Sequence, residues 1–525
     1  MAANTQKESA LVGASETVSE TKIQGSERVE FIQDPLFAIY GLALAVSISL
    51  WFIAIRAPLW LDETHSYFVI KAGFSHIMAR MGLPIVPVYP YILWLSAEFM
   101  GTSEIALRVP SILAMIGAVY LLYLAALELF DRDVAVIAAV VFCLHPIVVF
   151  AAIDVRPYAF ATLTINASIL VLVRLRHSDS NWLAALFGVL AASIGHFQFI
   201  FTIILPALDI CFVVFKIGDR KDLLRQGGIA FAAFTLAFLP VVPVLQVMFH
   251  TKGTYVFDEA PTLADLAWTL APVWLACTFA GAVLVAAATR RLDLQSRVEG
   301  WHILLCSALA LTPILVLYGV SVETPIHVFT YRYRLVAIPG IALCWAWLVS
   351  RIDSRILRLL FCLAVVVAAT YSSFTSPFSK RHGYTWKYAL EFVEKNASAD
   401  GAPVLICSDF PESDVVPMPV GAAVKDSGLF APLSYYPLSV PVVGLPRALN
   451  DEAIRVASGF LLQAAQGHKR FLVVAAGASS KTLDWLAENA TGTHHVRELG
   501  VFDEVVVVEF IPRAKSDEAG MAGAH

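Results

Sequence analysis

Apolar residues gather into successive runs near 36–55, 110–129, 133–150, 158–173, 181–198, 199–215, 228–246, 264–288, 301–320, 335–350 and 356–373. A helix needs roughly 20 apolar residues to cross a bilayer. The pattern therefore predicts a polytopic α-helical membrane protein with about 11 transmembrane helices. The loop after the first run is long and only moderately polar. Within it, ETHSYFVIKAGFSHIMARM (63–81) alternates apolar and polar residues at helical spacing and reads as an amphipathic helix lying in the interface. YPYILWLSAEFM (89–100) reads as a second one, and Trp60, Tyr67, Phe74, Tyr89, Tyr91 and Trp94 fit an interfacial aromatic belt.

The pattern changes after residue 374. HGYTWKYALEFVEKN (382–396) has helical periodicity, with Trp386, Leu390, Phe392 and Val393 as its apolar members. APVLICSD (402–409), RFLVVAAG (470–477) and EVVVVEFI (504–511) read as buried strands, and 451–465 and 480–490 as helices. This alternation predicts a C-terminal soluble α/β domain over 374–515. Residues 1–35 and 516–525 are polar and read as a disordered N-terminus and tail. The N-terminus lacks the basic start and apolar core of a signal peptide, so the first run reads as a retained anchor. The membrane domain then spans 36–373.

Composition narrows the class. The chain is 58% hydrophobic and 15% charged, against about 25% charged in an ordinary soluble domain. Its net charge is −5, and no basic patch of the kind nucleic acid requires is present. Six of the 7 cysteines lie in apolar segments, where cysteine acts as a small hydrophobe. Cys407 alone falls in the soluble domain, so no disulfide is expected within it. No CxxC or Cys/His cluster suggests a metal site.

Charge gives the orientation. Basic residues concentrate in the loops after even-numbered runs, at 131–133, 174–177, 216–225, 289–297 and 351–355. The positive-inside rule places these loops in the cytoplasm with the N-terminus. The other loops then face outward, and they hold Asp62-Glu63, Asp154, Arg156 and Tyr158, His196, Asp258-Glu259, and Arg332, Tyr333 and Arg334. Asp258-Glu259 read as solvated loop charges. The convergence of the other acids and arginines on one side is what a site there would look like.

These residue types suit one chemistry in particular. A carboxylate at the membrane face can take a proton from an acceptor hydroxyl. Guanidinium groups can bind a phosphate and stabilise its charge as it leaves. A sugar linked to a lipid phosphate presents both needs at the membrane surface.

LWLDETHSY (59–67), SEIALRVPSIL (103–113) and DVRPYAF (154–160) resemble the GT-C superfamily glycosyltransferases. The nearest branch is that of protein O-mannosyltransferases and aminoarabinose transferases, especially bacterial Rgt-like members, and RYRLVAIP (332–339) resembles a later motif of that group. The resemblance implies inverting transfer from a polyprenyl-phosphate-linked sugar to a glycan, lipid or protein acceptor at the outer face of a bacterial inner membrane. It maps the catalytic acid onto Asp62, with Glu63 beside it, and a second acidic position onto Asp154. It maps substrate or phosphate contacts onto Arg108, Arg156, Tyr158, Arg332 and Tyr333, and His65 and His196 join them as candidate contacts. Many relatives carry a basic residue before a proline in the first loop. LPIVPVYPYI (83–92) has none, so His65, Lys71 or Arg80 would have to supply that contact.

No cofactor is expected. Paired carboxylates can hold a divalent ion, but the resembling branch generally works without one and no Asp-x-Asp is present. A flippase for a lipid-linked saccharide is a second reading, although it would favour charges at the bilayer midplane and repeated halves. A third is a non-catalytic assembly protein acting through its outer domain.

Overall fold

The computed structural model describes residues 34–81, 88–243, 246, 260–293, 300–375, 386–414 and 416–513. The expectations for the N-terminal segment before Asp34, for 83–87 of the proline stretch, for Asp258-Glu259 and for the tail 516–525 lie outside them.

Each apolar run forms helix. Among the described residues, 8 helices are long and apolar enough to span a membrane: Pro35–Ala54, Glu104–Leu129, Tyr158–Arg176, Phe199–Lys216, Arg220–Val241, Gly300–Glu323, Tyr331–Val349 and Arg355–Thr375. Two further spans are broken, Arg132–Leu144 with Pro146–Ala152 at 71° and Leu263–Leu270 with Val273–Ala288 at 56°, which brings the number to 10. A proline sits at each break, Pro146 and Pro272, where a missing N–H and a ring clash interrupt the ladder. The remaining run, Asn181–Phe197, is a shorter apolar helix. Some helices begin earlier than their hydropathy does. Ser103 caps Glu104–Leu129 by accepting from Ala106 N, and Asp219 caps the helix from Arg220 by accepting from Lys221 and Asp222 N. Their first turns are charged, so an apolar-run criterion passes over them.

Ion pairs gather the loops at one end of the bundle. Arg355 bridges Asp34 (2.8 Å) and Asp133 (2.5 Å), and Arg358 pairs with Asp131 (2.5 Å). Asp293 N donates to Arg351 O. The N-terminal end of the first span and the loops near 131, 292 and 353 therefore share one end, as the charge pattern predicts. Close backbone approaches set the packing in two places. A Cβ on Gly188 would lie 2.1 Å from Ala230 O, and one on Gly340 would lie 2.3 Å from Leu309 C. Small residues at helix contacts are how membrane bundles pack without a hydrophobic drive between helices.

The loop after the first span departs from a single interfacial helix. It forms Leu61–Ile70, a short turn at Phe74–His76, Ile77–Met81 and Val88–Met100. Gly73 breaks the run with φ of 89°, a conformation L side chains rarely adopt. Leu61–Ile70 is packed between other parts of the protein. Its Ile70 packs with Tyr89, Leu93 and Leu107, and its Phe68 and Val69 pack with Ala431 of the C-terminal domain.

That domain is a mixed five-stranded sheet. The strands are β1 (Val404–Cys407), β2 (Val442–Leu445), β3 (Phe471–Ala476), β4 (His494–Phe502) and β5 (Val505–Pro512), in the order β2-β1-β3-β5-β4. β1 pairs in parallel with β2 and β3, and β5 pairs antiparallel with β3 and β4. Helices Trp386–Ala397, Asp451–Gln466 and Ser480–Ala490 complete the domain. Ala389, Leu390 and Val393 lie in the core against one face of the sheet, and Ala457, Leu461 and Leu486 against the other. Cys407 is buried and unpaired.

The domain is fastened to the membrane region. The Tyr436 hydroxyl accepts from Leu59 N at 2.9 Å, and the Tyr435 hydroxyl donates to Thr102 O at 2.8 Å. Asp426 pairs with Lys71 (2.8 Å) and Arg80 (2.9 Å), and Lys387 pairs with Glu104 (2.9 Å). Lys71 and Arg80, two of the residues considered for the missing loop cation, are thus engaged by the C-terminal domain.

Candidate active site

The site is built around the helix Leu61–Ile70. Trp60 precedes it with extended backbone, and the Glu63 carboxylate takes the Trp60 N–H at 3.2 Å, as in the return half of a capping box. This puts Asp62 and Glu63 in the first turn, where the helix dipole favours negative charge. Their side chains then go separate ways.

Glu63 is fully buried and meets Arg108, also fully buried, in a two-point pair. Arg108 Nε donates to Glu63 Oε1 (3.3 Å) and Nη2 to Oε2 (2.8 Å). The remaining Arg108 donors reach the carbonyls of Ile55 (2.8 Å), Ala57 (2.7 Å) and Pro58 (3.3 Å), which end the first span. Guanidinium has five N–H groups, and all are occupied. Glu63 Oε1 also accepts from Val155 N at 3.0 Å. Neither residue has capacity left for a substrate. This pair ties the first span, the acidic helix, the helix Glu104–Leu129 and the loop after the third run into one frame.

Asp62 faces the other way. It pairs with Arg332 through the Nη1 of that residue, and Arg156 Nη2 lies 3.9 Å from the same carboxylate oxygen. Burial alone pushes the Asp62 carboxyl up, but Arg332 and Arg156 outweigh it and hold the group below the ordinary carboxylate range. Unlike Arg108, the two arginines are not saturated. Among the described residues, the buried Nε atoms of Arg156 and Arg332 have no hydrogen-bond partner. An unmet guanidinium donor beside another guanidinium is an anion-binding arrangement.

Asp154 is fully buried one layer behind. Its Oδ1 accepts from Trp60 Nε1 at 2.9 Å, and its carbonyl accepts from Ser111 Oγ at 2.5 Å. Tyr158 is buried and stacked on Phe201, and Tyr333 is partly buried against the membrane core. His65 lies one turn beyond Asp62, between the rings of Phe68 and Phe410 at 6.0 and 5.6 Å. Burial, assisted by Arg156, lowers its imidazole to about 4 against the pull of Asp62, so the ring is neutral near pH 7. His196 is engaged elsewhere, with Nε2 hydrogen-bonded to Ala237 O at 2.6 Å. The residues the sequence places on one side therefore divide into an anionic centre with two arginines, a buried frame, and a histidine between helices.

Sequence reasoning passed over the contribution of the C-terminal domain. Asp409, Phe410 and Glu412 follow β1 and approach the acidic helix. Burial raises the Asp409 carboxyl to about 6, with Glu504 and Asp62 adding to it and Arg447 opposing. Burial also raises Glu412, with Asp62 adding to it. A signal was available, since an acid directly after a buried parallel strand sits at the edge where open α/β sheets bind ligands. Among the described residues, no group of three or more His, Cys, Asp or Glu side chains is arranged to hold a metal ion.

Residues 84–246 match the family described as dolichyl-phosphate-mannose-protein mannosyltransferase. The matched segment contains Arg108, Asp154, Arg156, Tyr158 and His196, and it excludes Asp62 and Arg332. The fold as a whole is similar to that of ArnT from Cupriavidus metallidurans. The apo state superposes with a TM-score of 0.56 at 11% identity, covering 89% of this chain and 97% of that one. The same protein bound to undecaprenyl phosphate superposes with a TM-score of 0.55, also at 11% identity and with the same coverage. No curated protein matches the sequence. The chain is thus a multi-pass membrane protein with a C-terminal mixed sheet and a fold like that of ArnT, and one segment of it matches the mannosyltransferase family.

Proposed function

We propose that this chain, sharing its fold with ArnT and a segment with the mannosyltransferase family, is an inverting glycosyltransferase that takes its sugar from a polyprenyl-phosphate donor. The observation that carries the proposal is Asp62, a carboxylate held anionic between two guanidiniums that keep unmet donors. Arg156 and Arg332 bind the donor phosphate with those donors. The acceptor hydroxyl attacks the anomeric carbon from the face opposite the phosphate, and the carbon–oxygen bond to phosphate breaks. Asp62 takes the hydroxyl proton as general base. The negative charge that develops on the leaving phosphate falls on the arginines, an arrangement worth most in a water-poor site. The arginines restrain the basicity of Asp62 in the empty site. When phosphate arrives and shares them, Asp62 becomes the better base. Asp154 supports the site from behind through Trp60, and Tyr158 and Tyr333 wall it.

The face that carries Asp62 is the outer face of a bacterial inner membrane, with the N-terminus cytoplasmic and the C-terminal domain outside. The distribution of basic loops supports this orientation. The acceptor is a glycan, lipid or protein hydroxyl that reaches the site beneath the C-terminal domain. The test is release of polyprenyl phosphate from a panel of polyprenyl-phosphate sugars, with and without acceptor extract. Asp62→Asn should lose transfer while remaining folded, with an unfolding temperature lowered by the loss of the two ion pairs. Full turnover by that variant overturns the assignment.

A further inference from the structure

Two aromatic rings flank the arginine that engages Asp62, a third backs them, and one of the two is tied to both ends of the site. The guanidinium carbon of Arg332 lies 5.1 Å from the centre of the Trp60 ring and 5.9 Å from that of Tyr331. Phe150 backs both rings, edge-on to Trp60 at 6.1 Å and to Tyr331 at 4.9 Å. Trp60 is nearly fully buried, and its two N–H groups are both committed, the backbone one to Glu63 and Nε1 to Asp154.

We infer that Trp60 is a positioning residue, whose ring face seats Arg332 against Asp62 and whose N–H links that seat to Asp154. The inference rests on the reading of Asp62 and Arg332 given above. An arginine side chain has several rotatable bonds and about 2 kcal/mol of rotamer entropy. A single ion pair through one Nη leaves the plane of the guanidinium free to turn. An indole face fixes that plane, because the ring quadrupole attracts the cation most strongly when it lies over the ring. The indole itself cannot turn, since its N–H is held by Asp154 and its backbone by Glu63. The buried frame is thereby transmitted to the anionic centre through one side chain. Asp154 reaches Arg332 through this ring.

The test separates the two handles of the indole. Trp60→Leu removes the face and the N–H, and Trp60→Phe keeps a face and removes only the N–H. A desolvated cation–π contact corresponds to about a 30-fold rate effect. Trp60→Leu should therefore lower transfer by about 10- to 30-fold. It should also move the acid limb of the pH–rate profile upward, because an Arg332 that is no longer seated stops holding the Asp62 carboxyl down. Trp60→Phe keeps a face but frees it from Asp154, so it should lower transfer less than Trp60→Leu and move the acid limb only part of the way. Combining Trp60→Leu with Arg332→Leu should add nothing to the loss caused by Arg332→Leu alone. A folded Trp60→Leu variant with the parental pH profile overturns the inference, as do losses that multiply in the double variant. If Trp60→Leu does not fold, fluorinated tryptophans at position 60 replace it. Stepwise fluorination weakens the ring face while keeping shape and N–H, so the rate should fall with each fluorine, and a flat series overturns the inference. Failure of the base assignment would appear separately, as an active Asp62→Asn.

Discussion

Replacing Arg108 by leucine discriminates between a frame residue and a phosphate ligand. The substitution leaves Glu63 as a buried, uncompensated charge and releases the carbonyls of Ile55, Ala57 and Pro58. Breaking a buried ion pair by removing one partner costs about 3–5 kcal/mol. Each buried carbonyl left without a donor adds about 1 kcal/mol or more. The total is of the same order as the whole stability of a typical domain, about 5–15 kcal/mol. Arg108→Leu should therefore unfold at a much lower temperature in detergent and express poorly. Glu63→Leu with Arg108→Leu should recover part of the loss, because no charge then remains buried. The assay is thermal unfolding in detergent, run beside the KM for donor on whatever protein stays folded. An Arg108→Leu protein that unfolds at the parental temperature but shows a donor KM raised tenfold would place Arg108 on the phosphate and refute this reasoning.

Three further outcomes follow from the geometry. Arg332→Leu removes the stronger of the two guanidiniums that oppose burial at Asp62 and leaves Arg156, so the acid limb of the activity profile should move to higher pH, and an unmoved limb would separate Arg332 from Asp62. Asp409 titrates at about 6 in the folded chain against an ordinary 3.8, so the folded state holds a proton the unfolded state lacks between those values. Its contribution therefore weakens the C-terminal domain as pH rises through 6, and Asp409→Asn should unfold at a higher temperature than the parent at pH 7.5 and at the same temperature below pH 4, where identical curves at both pH values count against a buried Asp409. Gly188→Ala drives a methyl group into Ala230 O and should cost about 1–3 kcal/mol by forcing two helices apart, read as a lowered unfolding temperature with the donor KM unchanged.

The membrane region was legible because hydrophobic length is a strong constraint, and each apolar run is a helix. The alternation of basic and acidic loops was equally legible, and it brought Asp62, Arg156 and Arg332 to one side before any geometry was known. What pattern could not supply was the partnership of adjacent residues. Asp62 and Glu63 are neighbours in sequence, but a rotation of about 100° per residue along a helix sends one to the arginines and the other to the interior. Arg108 sits in the opening turn of a span, where a headgroup anchor, a phosphate ligand and a buried frame residue look alike. The two edge strands were also hidden. β2 is four residues long, and β4 carries His495, Arg497 and Glu498 on its exposed edge, so neither has the continuous apolar run that marks β1, β3 and β5. The single interfacial helix expected over 63–81 failed at Gly73, where one positive φ turns the chain.

The fastening of the C-terminal domain to the first loop also has a meaning in time. The Tyr436 hydroxyl that holds Leu59 N is 377 residues further along the chain, and Asp426 is 346 residues beyond Arg80. At about 5–20 residues per second, synthesis leaves the acidic helix waiting on the order of 20–75 s for its cover. All the spans after the first are made in that interval, before the last wall of the site exists. A nascent chain in the bilayer therefore holds Asp62 without the surface that packs against its helix until the chain has grown past Tyr436.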